Sequence, residues 1–170
     1  MSVRVQAEDF DIGVEVARLT QGRTDVGAIV TFTGKVRGAG AGQDTGGSQA
    51  IGGTAAIDAI TLEHYPGMTE AELERIEAQA HQRWPLQGSS IVHRIGRLAP
   101  GENIVLVVTA SAHRQAAFEA AEFLMDYLKT EAPFWKKEDI AGGAAHWVDA
   151  RETDTAARDR WTGKAKGDGI

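Results

Sequence analysis

Three stretches of this 170-residue chain carry side chains suited to chemistry on an anion. The first is Ser111-Ala112-His113-Arg114, which follows an apolar run and opens an amphipathic one. Backbone N–H groups at a helix start lack partners and carry the positive end of the macrodipole, and His113 and Arg114 add side-chain donors there. Spacing alone fits a capping or surface histidine at least as well. The second stretch runs from Lys129 through Pro133-Phe134-Trp135-Lys136-Lys137-Glu138. Lys129 suits a helix C-terminus, and Lys136 has structural uses of its own, over Trp135 or paired with Glu138. A lysine crowded by other cations loses basicity, and one of these is then a candidate nucleophile or proton shuttle. The third is Lys35-Val36-Arg37, where a β-branched run gives way to a glycine-rich segment, a usual place for binding residues on a rigid scaffold.

What is missing narrows the chemistry further. The chain has no cysteine, which removes disulfides, thiolate metal sites and a cysteine nucleophile. None of His64, His81, His93 and His146 stands at metal-ligand spacing, so neither a metal site nor a bound cofactor is expected. Glu63 and His64 are neighbours on a strand pattern and point to opposite faces, which weakens them as an acid/base pair. A net charge of −6 has the wrong sign for nucleic-acid binding through phosphates. The glycines follow neither phosphate-loop pattern. Ile104 to Ala110, the longest strongly apolar stretch, is too short to span a bilayer, and the opening residues resemble no secretory signal. A cytoplasmic location is expected.

The elements that must position these residues are legible in outline. Val3 and Val5 alternate as a short strand, and Asp11 caps a helix with Ile12, Val16 and Leu19 on one face, closed near Gly22. Val26 to Thr33 is a buried-strand pattern. Residues 38 to 54, with seven glycines, read as a flexible loop. Ile57 to His64 alternates as a strand, and Thr69-Glu70-Ala71-Glu72 has the form of a capping box before a helix that Pro85 stops. Ser90 to Leu98 and Asn103 to Thr109 are expected to form a hairpin around Pro100-Gly101. A long helix covers Gln115 to Lys129, and Pro133 forbids its continuation. A short strand at His146 to Ala150, a helix over Arg151 to Trp161 and a frayed tail, 162 to 170, complete an α+β domain over residues 1 to 161.

Taken in order, Phe32-Thr33-Gly34-Lys35-Val36-Arg37, Leu62-Glu63-His64-Tyr65-Pro66-Gly67-Met68, His93-Arg94-Ile95-Gly96, Ser111-Ala112-His113-Arg114 and Lys129 through Glu138 resemble the catalytic (large) subunit family of molybdopterin synthase from about residue 3 to Trp161. The resemblance implies an α/β hammerhead-type fold with an antiparallel or mixed sheet, and a homodimer that binds two small ubiquitin-like sulfur carriers as a heterotetramer. It implies that cyclic pyranopterin monophosphate receives two sulfurs from the carrier's thiocarboxylated C-terminus. It maps substrate binding onto Lys35, Val36, Arg37, His113, Arg114, Lys136, Lys137 and Glu138, with Arg151 near the dimer seam. Lys129 matches the family's essential lysine. On this reading Lys129 is the proton shuttle and partner of the thiocarboxylate, Lys136 assists the pterin, and Arg37, His113 and Arg114 hold phosphate. The 38 to 54 segment is longer and richer in glycine than the family pattern. Two other functions compete: a cyclic phosphodiesterase, which needs no sulfur donor, and a non-catalytic scaffold for the carrier.

Overall fold

The computed structural model describes residues 2–38, 57–140, 145–148 and 152–162. The elements run β1 Val3–Gln6, α1 Ile12–Thr20, β2 Ala28–Lys35, β3 Ile57–His64, α2 Met68–Arg83, β4 Leu86–Arg94, β5 Gly96–Leu98, β6 Asn103–Ser111, α3 Arg114–Thr130, β7 Phe134–Ile140, β8 Ala145–Val148 and α4 Glu152–Asp159. Strands order β1-β4-β6-β2 in one sheet and β5-β3-β7-β8 in the other. Only the β1–β4 pair is parallel, so the first sheet is mixed and the second antiparallel, as an α+β reading requires.

The apolar run at 104–110 becomes β6, at the centre of the first sheet and covered on both faces. Val105 and Val107 join Leu73, Ile76, Phe123 and Leu124 from α2 and α3. Leu106 and Val108 point the other way, onto Phe10, Val16 and Leu19 beside α1. Asp11 caps α1 as its type predicts, accepting the Val14 N–H at 2.9 Å. The long helix forms over the expected span with Ala121 and Leu128 buried, whereas Phe118, expected on the same apolar stripe, is 61% exposed. The chain returns at α4, where Trp161 packs edge-on against Trp84 and Phe123 and donates its indole N–H to Asp126 at 2.7 Å.

Several expectations need correction. The single strand expected at 90–98 is two: Gly96 sits at φ 86°, a left-handed conformation that turns the chain out of β4 into the second sheet, where Leu98 pairs with Ile60. The β4 and β6 strands are antiparallel neighbours, but their connection detours through β5 before the turn at Pro100-Gly101. The helix expected to be capped by Thr69 is capped two residues earlier, by Gly67, with the Glu70 carboxylate accepting the Gly67 N–H at 2.7 Å. Thr69 is not the cap. Its hydroxyl accepts the Tyr65 N–H and donates to the Pro133 carbonyl, each at 3.1 Å, tying that turn to the start of β7. The strand β7 itself has no counterpart in the sequence reading. Residues 39–54, 151 and 163–170, which include most of the glycine-rich segment, Arg151 and the tail, lie outside the described residues.

The strand β2, expected to be buried, is an edge among the described residues. There it pairs only with β6, and Ala28 to Gly34 contains no charge and no proline to blunt its free side. Ile29 and Phe32, on opposite faces of it, are 41% and 40% exposed.

Candidate active site

The Ser111-Ala112-His113-Arg114 turn forms where β6 meets α3. Ser111, fully buried, donates its hydroxyl to the Pro85 carbonyl at 3.0 Å, and its own carbonyl accepts the Gly27 N–H at 3.0 Å. His113 is the N-cap, in extended conformation, with no side chain capping the helix and no acidic residue in its first turn. An open depression results, lined by Gly27, Ala112, His113, Arg114 and Gln115. Unpaired N–H groups, the helix dipole and an exposed Arg114 all favour an anion there. Gly27 permits the close approach: a Cβ on it would stand 2.4 Å from the Ala112 carbonyl oxygen.

Lys129 lies in the last turn of the same helix, its Nζ 3.7 Å from Asp154 Oδ1 of α4. Fifteen residues at about 1.5 Å each put it about 22 Å along the axis from Arg114. The anion depression and Lys129 therefore do not share a cavity within one chain. A single small substrate cannot bridge them.

The register of β7 against β3 decides which of the remaining residues meet. Lys136 faces Leu62 and Glu138 faces Ile60, so both side chains lie on the face that holds the buried cluster of Val36, Ile60, Leu62 and Leu98. Lys136 Nζ donates to Glu138 Oε1 at 2.6 Å, and Glu138 is buried. Lys137, opposite Thr61, occupies the other face. Val36 belongs to that same cluster, which brings the Lys35-Val36-Arg37 segment to the face of the second sheet that carries Lys136 and Glu138, with Lys35 and Arg37 exposed. Of the alternatives for Lys136, pairing with Glu138 is the one observed. Lys129 and Lys136 each meet a carboxylate. Among the described residues no group of three or more histidine, aspartate or glutamate side chains is placed to hold a metal.

The sequence profile of the MoaE protein family matches residues 5–131. A molybdopterin synthase catalytic subunit of Mesorhizobium japonicum is 58% identical over 161 residues, covering 94% of this chain and 92% of the relative. The chain belongs to the MoaE family, the catalytic subunits of molybdopterin synthase. Solved MoaE structures agree: the Burkholderia ambifaria protein superposes with a TM-score of 0.74 at 48% identity, covering 95% of this chain and 97% of that one. Molybdopterin synthase from Staphylococcus aureus follows at 0.70 and 30%, covering 85% and 95%.

In this MoaE chain the mapped residues fall into two groups: His113 with Arg114, and Lys35 to Arg37 with Lys136 and Glu138. Lys129 stands with Asp154 at the far end of α3 from the first group. Sequence reasoning missed Gly27, whose role depends on a carbonyl 85 residues away in the chain, and Asp154, an ordinary-looking acid on a polar helix. It also left the His93-Arg94 motif without a part in the site. No local signal separates these residues from structural ones.

Proposed function

We propose that two copies of this chain form each active site, in which cyclic pyranopterin monophosphate receives two sulfurs from the thiocarboxylated C-terminus of a small carrier protein. The observation that carries the proposal is the length of α3, which separates one anion-binding group from Lys129 by about 22 Å. A second copy closes that gap if the edge strand β2 pairs with its own copy about a two-fold axis. Antiparallel self-pairing centred between Thr31 and Phe32 sets Ala28 opposite Lys35 of the other copy. It thereby brings the Gly27, His113 and Arg114 depression of one copy to the Lys35-to-Arg37 and Lys136 end of the other. The uncharged strand edge and the exposed Ile29 and Phe32 support this seam, since an unpaired apolar edge seeks a partner.

In this site His113, Arg114 and Arg37 hold the phosphate through charge-assisted hydrogen bonds. Lys129 meets the carrier's thiocarboxylate and moves protons at the reacting carbon, while Lys136, held by Glu138, assists the pterin. Arg151 contributes to the substrate site as the family resemblance implies, and Lys137 adds positive field from the neighbouring face. With no thiol in the chain, the sulfur comes from the carrier, consistent with relatives being named catalytic subunits. The catalytic unit spans residues 1 to 161, and the enzyme works in the cytoplasm. The test is incubation of the purified chain with the precursor, with and without thiocarboxylated carrier. Product containing two sulfurs, formed only with the carrier, is expected. Phosphate-ring opening without carrier would establish a phosphodiesterase instead, and carrier binding without product a scaffold.

A further inference from the structure

The His93-Arg94 motif ends β4, the strand between β1 and β6, and has no part in the site as described so far. Successive strand residues point to opposite faces, and each of these two grips a different functional segment. The His93 ring stacks on Phe134 at 3.7 Å between centroids and 17° between planes, two residues before Lys136. It is held by its own hydrogen bond, Nδ1 to the Arg94 carbonyl at 2.8 Å. Arg94, its side chain 9% exposed, donates Nε to the Ala7 carbonyl at 3.1 Å and Nη1 to Glu102 Oε1 at 3.2 Å and the Asn103 carbonyl at 3.1 Å. Glu102 also accepts the Ala99 N–H at 2.6 Å. That shapes the turn whose backbone holds Val36 from both sides: Val36 N–H to the Glu102 carbonyl at 2.9 Å, and Gly101 N–H to the Val36 carbonyl at 2.8 Å. The Ala99 amide and Arg94 hold the Glu102 carboxyl below its usual range, so the clamp is ionic at neutral pH.

We infer that His93 and Arg94 are positioning residues for the reaction: Arg94, through Glu102 and Val36, aims Arg37, and His93, through Phe134, sets the approach of Lys136. This rests on the functional reading above, in which Arg37 and Lys136 contact substrate. A planar guanidinium fixes three acceptors in one plane, which a lysine ammonium cannot reproduce.

The test uses the full-length chain with its carrier. Arg94→Lys is expected to raise the KM for the precursor about tenfold, the size of one charge-assisted hydrogen bond, while kcat changes less than twofold. In an Arg37→Ala background the same change should have less than a twofold effect, because nothing remains to be aimed. Equal effects in both backgrounds, or a fall in kcat alone, overturns the positioning role. Should Arg94→Lys fail to fold, Glu102→Ala, at an exposed carboxylate, is the second variant, with the same split expected. His93→Ala should lower kcat, and His93→Phe, which keeps a stacked ring, should restore most of it; unaltered kcat in His93→Ala sinks that half. Hydrogen exchange supplies a readout independent of turnover. The Val36 and Gly101 amides should exchange faster in Arg94→Lys and Glu102→Ala while those of Val107 and Leu124 do not. Uniform acceleration, or none, overturns the inference even if the wild-type chain proves to have another activity.

Discussion

Mixing two inactive variants tests the shared site directly. Lys129→Ala removes the group at one end of α3, and Arg114→Ala removes the anion donor at the other, about 22 Å away. Each alone should nearly silence the enzyme. Loss of a charge-assisted hydrogen bond to phosphate costs about 1.5–3 kcal/mol, roughly ten- to a hundredfold in rate, and loss of the reacting lysine costs more. In a mixed dimer one site joins both lesions, and the other joins intact Lys129 from one chain to intact Arg114 from its partner. Random reassortment makes about half of the dimers mixed, each with one working site of two, so co-refolded chains should recover about a quarter of wild-type turnover. The assay is product formation at saturating thiocarboxylated carrier, with the unmixed parents as baselines. Activity that stays at the sum of the parents, in a mixture shown by mass spectrometry to contain mixed dimers, refutes the argument: Arg114 and Lys129 would not then act across the seam.

Replacing Gly27 by alanine puts a methyl group 2.4 Å from the Ala112 carbonyl oxygen, so the 111–114 backbone must move. The KM for the precursor should rise at least severalfold; an unchanged KM in the folded variant would show that the depression does not bind it. Phe32→Glu places a charge at the centre of the β2 edge, where the side chain is 40% exposed in one chain, and should yield a folded, inactive monomer on sedimentation. A stable active dimer of that variant would exclude the seam. Burial lowers the His93 pKa to about 4 from 6.5. The folded protein thus favours the neutral ring: its stabilising contribution is full above pH 6.5 and is lost as pH falls from 6.5 towards 4, by roughly 3 kcal/mol. His81, lowered by burial, acts in the same direction, and Glu77, raised by burial, opposes it. Denaturant unfolding across that window should show a shallower pH slope in His93→Phe; an equal slope would mean that His93 is not the titrating group.

Elements whose apolar residues repeat with a clear period were readable from the chain alone. Asp11 and the stripe of α1, the doubly buried β6 and the long α3 all combine a local pattern with a local stop or start. The strand β7 was not, because Lys136, Lys137, Glu138 and Asp139 interrupt any alternation, and pairing with β3 and β8 supplies what the pattern lacks. Gly96 was equally opaque, since one left-handed residue carried itself, Arg97 and Leu98 into a different sheet. The site divides along the same line. Its cations could be picked out as residue types at a helix start, a helix end and a strand end, but not the distances among them. Helix length then shows that His113 and Lys129, 16 residues apart in sequence, cannot serve one substrate within one chain. Sheet register, conversely, gathers Val36 and Lys136, a hundred residues apart, onto one cluster. A cationic site assembled in this way needs its segments held before any anion arrives, because lysines and arginines on mobile strand ends lose side-chain freedom when they bind. Glu138 against Lys136, Asp154 against Lys129 and the Arg94–Glu102 clamp beneath Val36 supply that order from carboxylates within the chain. On the function proposed here, the thiocarboxylate and the phosphate would then enter a site whose cations are already placed, exchanging one anion for another at each lysine instead of ordering a free one.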